Sequence, residues 1–334
     1  MVYSHLVWFH IFGFACCALL IFKAGKNLVE YGDKIAEHTG LGRAWIGLIL
    51  MASITSLPEL ITGISSVTYV DAPDLAAGDV LGSCMFNMLI LSLIDARIQK
   101  PLMSLVKDSH LLAGLYGIIL VSIVGLALLF GTKMPKLFNV SFFSVLIVVV
   151  YLISIYHIYL FDSKDRNVEL VKENYSKDSI KSIVFKYIVN AIIVTASAFF
   201  LPYFGEKLSI DWGVSKTFFG TLFIAASTSL PELSVSFISI RMKLYDITVG
   251  NLLGSNLFNV FILAIDDFFY TKNALFNAVD KNHLTSVLTV VIMTAVAGIG
   301  ILVKTTKKIW LLSLDTFVIF FLYVMLVLFL WFFK

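Results

Sequence analysis

Apolar runs about twenty residues long recur along the chain, each closed by a polar break, and they predict ten transmembrane helices. The expected spans lie near residues 5–25, 43–67, 73–95, 110–131, 137–161, 182–204, 215–240, 246–269, 284–303 and 311–333. One break is longer and more polar than the others. From Asp162 to Lys181 it mixes both signs of charge, including Lys164, Asp165, Arg166, Glu169, Lys172 and Glu173, and it reads as a solvated linker. The expected organisation is an all-α membrane protein with a first five-helix unit over 1–161, the linker over 162–181, and a second five-helix unit over 182–334.

Two of the apolar runs are interrupted in the same way. Thr55-Ser56-Leu57-Pro58-Glu59 lies inside the second, and Thr228-Ser229-Leu230-Pro231-Glu232 repeats it inside the seventh. A carboxylate at membrane depth costs about 2.5–3.5 kcal/mol on insertion scales, so packing alone is a poor reason to place one there twice. A proline at 58 removes the N–H that would bond the Ile54 carbonyl, which predicts a broken helix. Backbone oxygens freed in that way persist in a membrane only where protein or a wet cavity satisfies them. Freed carbonyls, hydroxyls and a carboxylate within one turn make an oxygen-rich pocket of the kind hard cations take. The pair of motifs reads as one ion site built from two halves.

The repetition extends beyond the motif. Residues 52–67 match 225–240 at eight of sixteen positions, and 78–95 match 250–267 at nine of eighteen. The offsets are 173 and 172 residues. On a helix, Ala52, Ser56 and Glu59 share a face with Thr55 beside them, and Ala225, Thr228, Ser229 and Glu232 are their counterparts. The following spans add stripes at four-residue steps: Asp79, Ser83 and Asn87 in one, Asn251, Ser255 and Asn259 in the other. Gly78, Gly82, Gly250 and Gly254 suit close helix approach. Taken singly, any of these hydroxyls could be helix-to-helix glue; two glutamates beside two prolines are harder to read that way.

Charge placement gives the orientation. With the N-terminus outside, inner loops hold 18 of the 25 basic residues: Lys23, Lys26, Lys34, Arg43, Arg97, Lys100, Lys107, the six from Lys164 to Lys186, Arg241, Lys243, Lys304, Lys307 and Lys308. Both termini are then expected outside, the linker is cytoplasmic, and five spans per half turn the second repeat upside down relative to the first. Similar blocks in halves of opposite topology are the signature of an inverted-repeat transporter, with its site between repeats.

Composition agrees: 334 residues, 59% hydrophobic and 14% charged, with a mean hydropathy of +0.92. The net charge of +3 adds little. Cys16, Cys17 and Cys84 lie in apolar runs without metal spacing and read as small core residues. The first span lacks a basic leader and a small-residue cleavage site, so it is expected to be a retained helix. No nucleotide loop, catalytic triad or basic nucleic-acid patch is present in the sequence. An enzyme, a nucleic-acid partner, a cofactor and an obligatory protein partner are therefore not expected.

These residues carry a resemblance. Both blocks resemble the alpha-repeats of the cation/Ca2+ exchanger superfamily, most closely its prokaryotic sodium/calcium exchanger branch. The match is the doubled Thr-Ser-Leu-Pro-Glu followed by Gly-x-x-x-Gly-Ser-x-x-Phe-Asn at Gly78–Asn87 and Gly250–Asn259. The resemblance implies a multi-pass cell-membrane antiporter that exchanges Na+ for Ca2+ by alternating access; a Ca2+/H+ antiporter on the same fold is the alternative. It implies Glu59 and Glu232 as Ca2+ ligands, helped by the Thr55 and Thr228 carbonyls. It implies Na+ held by the hydroxyls of Ser56, Ser83, Ser229 and Ser255 with the carbonyls of Ala52 and Ala225, and Asn87 and Asn259 completing the middle. It also implies a loosely packed pair, spans one and six, that slides across the core. Ca2+, Na+ and membrane lipid are the expected partners.

There are four departures from the family pattern: Ile54 and Ser227 where glycine is usual before the threonine, Cys84 where asparagine is usual, Asp79 opposite Asn251, and amides at both Asn87 and Asn259. Asp79 is expected to line the ion pathway, the other reading being a helix-start charge. Asp95, Asp266 and Asp267 are expected to be solvated span ends, and Asp315 a helix-start charge.

Overall fold

The structure, a computed structural model, describes residues 2–137, 139–165, 179–211 and 228–332. Helices make up nearly all of it: α1 (Val2–Thr39), α2 (Arg43–Val70), α3 (Pro73–Asp95), α4 (Ser109–Phe130), α5 (Phe142–Asp165), α6 (Ile180–Asp211), α7 (Leu230–Arg241), α8 (Tyr245–Phe269), α9 (Leu284–Val303) and α10 (Leu314–Phe332). Eight of them, α1 to α6, α8 and α9, contain stretches long and apolar enough to cross a membrane. The expected start of the seventh span, with Ala225 and Ser227, lies outside the described residues, as does most of the expected linker.

Among the boundaries that differ from the sequence expectation, those of the first and fifth spans are instructive. The first helix does not stop near residue 25 but continues to Thr39, ending at Gly40 with φ +67°. Hydropathy marks where the apolar shell ends, and the helix goes on beyond it. Leu28, Val29, Ile35 and Ala36 stay buried on one face, while Lys26 and Glu30 pair at 3.5 Å on the other. The fifth span starts later than expected. A short antiparallel pairing of Lys136–Leu137 with Val140–Ser141 precedes it, and the helix begins at Phe142.

Apolar packing sorts the helices into two groups. One continuous core is shared by α2, α3, α4, α5, α8, α9 and α10, with α7 against it. Helices α1 and α6 pack mainly on each other, joined by Asn27 Nδ2 donating to Asn190 Oδ1 at 2.9 Å. They meet the rest through a separate cluster that includes Ile46, Met51, Val235 and Ile247. Trp8, Phe12, Phe185 and Ile192 point outward from this pair, as side chains facing hydrocarbon do. At the centre, α8 lies against α2 at backbone distance. A Cβ on Gly254 would sit 2.6 Å from Leu48 Cα, and one on Gly250 2.9 Å from the Ala44 oxygen, so neither position has room for a side chain.

Four carboxylates tie the halves together, and they do so in matched pairs. Asp95, at the end of α3, accepts Leu102 N (2.7 Å), Ser313 N (2.8 Å), Ser313 Oγ (3.1 Å) and Thr316 Oγ1 (2.7 Å), and pairs with Lys308 at 3.2 Å. Its repeat mate Asp267, near the end of α8, accepts Leu275 N (2.5 Å), Ser141 N (2.7 Å) and Ser144 Oγ. Each therefore secures the start of a helix in the other half, α10 or α5. At the opposite ends of α3 and α8 the exchange recurs. Asp246 accepts Lys107 N at 2.9 Å with His110 Nε2 at 3.0 Å, while Asp74 accepts Asp280 N at 2.6 Å with His283 Nε2 at 3.5 Å. Asp95 and Asp267 are thus not solvated span ends but wholly buried, because donors from distant segments replace water.

Candidate cation site

At both motifs the serine leaves helical geometry, and in the first it interrupts α2. Ser56 has φ −91° and ψ 8°, Ser229 φ −83° and ψ 8°, and a new helical segment begins at the following leucine. Pro58 and Pro231 fall in the first turn of that segment, where a missing N–H is harmless. The break therefore lies at Ser56, one residue or two beyond the position the proline alone suggests; Ser56 N still reaches Ala52 O at 3.0 Å. Glu59 and Glu232 occupy the same first turns, at the positive ends of their segments. Each carboxylate also takes a hydrogen bond from its own backbone N–H. In an unbroken helix that N–H serves the carbonyl four residues back, Thr55 or Thr228.

The side chains interlock across the halves. Ser56 Oγ donates to Glu232 Oε1 at 3.2 Å, and Ser255 Oγ donates to the same oxygen at 3.3 Å. Thr55 Oγ1 lies 3.3 Å from both Ser255 Oγ and Asn251 Oδ1. On the other side, Ser83 Oγ donates to Glu59 Oε1 at 3.2 Å and receives Ser229 Oγ at 3.3 Å. Ala52, Thr55, Ser56, Glu59, Ser83, Thr228, Ser229, Glu232, Ser255 and Asn259 are all fully buried, and Asn87 nearly so. Glu59 Oε2 and Glu232 Oε2 have no partner among the described residues. The two glutamates are close enough for their charges to interact.

One turn beyond Ser83 and Ser255 on their helices stand the amides Asn87 and Asn259. Asn87 Nδ2 donates to Asn256 Oδ1 at 3.0 Å, and Asn256 Nδ2 donates to the Cys84 carbonyl at 3.3 Å. Cys84 and Asn256 are repeat mates, so the departure at Cys84 leaves Asn256 as the amide that joins the two motif helices. Sequence reading passed over Asn256; its position directly after Gly-Ser in the second motif was the available signal. Asn259 lies beside the Cys84 thiol.

Asp79 is buried in α3, five residues beyond the first-turn acid Asp74, and the Thr228 hydroxyl bonds its carboxylate. The helix-start reading therefore belongs to Asp74. Asp266 corrects a second expectation. It is not a solvated span end but fully buried, with its carboxylate against Gly63. Asp315 does stand in the first turn of α10, as expected. Of the expected site residues, the structure brings together all but Ala225, which lies outside the described residues. Among the described residues no three His, Cys, Asp or Glu side chains cluster tightly enough to hold a metal. Any cation here would rest on two carboxylates supplemented by hydroxyl, amide and carbonyl oxygens, which is hard-cation chemistry.

Comparison with known proteins gives a consistent picture. A family profile described as sodium/calcium exchanger protein matches the chain twice, over residues 9–160 and 182–333. An uncharacterised membrane protein of Methanocaldococcus jannaschii, MJ0091, is 27% identical over 252 residues, 74% of this chain and 78% of that protein. The sodium/calcium exchanger MaX1 of Methanosarcina acetivorans is 34% identical over 107 residues, 30% of this chain and 28% of that one. The solved structure of the sodium-calcium exchanger NCX_Mj soaked with Na+ and Sr2+ shares the fold, with a TM-score of 0.75 at 22% identity over 96% of this chain and 98% of that one.

Proposed function

Because the chain belongs to the sodium/calcium exchanger protein family, we propose that it is a secondary active antiporter exchanging Na+ for Ca2+ by alternating access. The observation that carries this reading is the pair of fully buried glutamates, each held by hydroxyls and each keeping one carboxylate oxygen unpartnered among the described residues. Two buried carboxylates offer about two negative charges, which one Ca2+ or two Na+ can balance. The ions then exclude one another. An occupied, neutral site can change sides while an empty, doubly charged one cannot, so movement of one ion requires movement of the other.

In this mechanism Glu59 and Glu232 hold Ca2+ together with the Thr55 and Thr228 carbonyls. Ser56, Ser83, Ser229 and Ser255, with the Ala52 and Ala225 carbonyls, hold Na+, and Asn87 and Asn259 close the middle. The architecture that goes with it has ten spans in two inverted repeats, 1–161 and 182–334, joined by a cytoplasmic linker, with both termini outside the cell membrane. The doubled family match and the exchanged carboxylate contacts support the repeat. The separate packing of α1 and α6 supports their role as the pair that slides.

Flux in sealed vesicles tests the reading. Ca2+ uptake is expected to follow an imposed Na+ gradient. If a pH gradient alone drives Ca2+ in sodium-free vesicles, the exchange is against protons instead.

A further inference from the structure

Asp266 stands three residues before the end of α8, wholly buried, and neither carboxylate oxygen has a hydrogen-bond partner among the described residues. The position is doubly unfavourable. Burying an ionised carboxylate without a partner is costly, and the C-terminal end of a helix dipole repels negative charge. The fold does not require an acid there, since the repeat mate is Ile94.

The direction of the side chain is informative. A Cβ on Gly63 would stand 2.7 Å from Asp266 Oδ1 and 2.8 Å from its Cγ, so the absent side chain at 63 is what admits the carboxylate. Gly63 is one turn beyond Glu59 on α2. Asp79 is one turn before Ser83, which donates to Glu59. Asp79 and Asp266 therefore share a layer, one turn from Glu59 towards the turn between α2 and α3. Their charges lie within reach of one another, and those of Asp79 and Glu59 likewise. Asp79 Oδ2 has no partner among the described residues either.

We propose that Asp79 and Asp266 form a second cation station that takes Ca2+ on its way between the α2–α3 turn and the glutamates. Two carboxylates match the charge of one Ca2+, and oxygen ligands suit it. The station rests on the exchange reading of the central site and gives that site a cation-collecting approach from one face of the membrane.

Calcium-45 equilibrium binding to the purified protein without Na+ tests this. E232Q removes one of the central carboxylates and is expected to retain about one bound Ca2+ per chain, and E232Q/D266N is expected to lose it. Equal binding by the two variants overturns the station. In vesicles of known sidedness, D266N is expected to weaken apparent Ca2+ affinity about tenfold from the face bearing the α2–α3 turn, as loss of one carboxylate ligand implies. The opposite face is expected to change far less. Equal weakening on both faces, or none, also overturns it. D266E, which keeps the charge, supports the station if it keeps the affinity. If D266N does not run as a monodisperse species, E232Q/D79N replaces it in the binding assay with the same two outcomes. Failure of the exchange reading looks different: the unaltered protein in sealed vesicles would then show no Ca2+ uptake driven by a Na+ gradient.

Discussion

On either side of the central glutamates the bundle provides a polar layer, and the two layers are built in opposite ways. Towards the α2–α3 turn stand Asp79 and Asp266, two acids with three carboxylate oxygens lacking a hydrogen-bond partner among the described residues. The matching layer in the second half holds Asn251, the repeat mate of Asp79, and Ser236, the repeat mate of Gly63. There Asn251 Nδ2 donates to Ser236 Oγ at 3.5 Å and its Oδ1 accepts Thr55 Oγ1 at 3.3 Å, while Ser239 and Thr248 join at 2.7 Å one turn further on. One layer is charged and unsatisfied; the other is neutral and closed. The centre between them keeps the repeat, with a glutamate, a serine from its own half and a serine from the other on each side. The two halves share the residues of the centre, and differences at a few positions give its two approaches different characters.

The sharpest way to break that comparison is at the centre. Glu59→Gln and Glu232→Gln are each expected to abolish Na+-driven Ca2+ uptake while leaving a folded protein, because one charge too few remains for Ca2+ in a dry site. Normal flux in either would mean the centre is not a shared pair.

Stability separates satisfied from unsatisfied acids. Asp95→Asn breaks a buried ion pair and a set of hydrogen bonds, and about 3–5 kcal/mol of destabilisation is expected. Asp266→Asn relieves an unpaired charge, so its melting temperature without Ca2+ is expected to rise. Thermal unfolding followed by size-exclusion chromatography reads both, and a shift of the same sign in the two variants would erase the distinction.

Swapping the layers comes next. Asp79→Asn is expected to weaken apparent Ca2+ affinity roughly fivefold from the face bearing the α2–α3 turn, with Na+ coupling intact. Asn251→Asp is expected to strengthen it from the opposite face. Sided Ca2+ titrations of uptake would show whether charge at this one position sets the asymmetry. The smallest effect concerns protons. Collapsing the pH gradient with an ionophore is expected to leave Na+-driven uptake nearly unchanged, and a large drop would couple protons to the cycle.

What the sequence made legible follows from how far each feature reaches. The doubled motif and the stripes at 79, 83 and 87 obey helical spacing within a single run, so the central ligands could be collected before any fold was known. Asp95 and Asp267 could not be read. Their donors at Ser313 and Ser141 lie 218 and 126 residues away, and a charge near the edge of an apolar run looks solvated when only its neighbours are visible. Asp266 was hidden by the same habit. The length of α1 was lost for another reason: the polar residues after Lys23 end the hydropathy signal, but they do not end the helix.

The exchanged carboxylate contacts also constrain biosynthesis. A ribosome delivers the first half well before the second, and Asp95 then has Leu102 to hold but neither Ser313, Thr316 nor Lys308. Ser141 and Ser144, at the head of α5, likewise wait for Asp267. A newly inserted first half is thus an unfinished object whose ends stay loose until its partner arrives. A polypeptide of half this length could reach the same closure only by meeting another copy of itself.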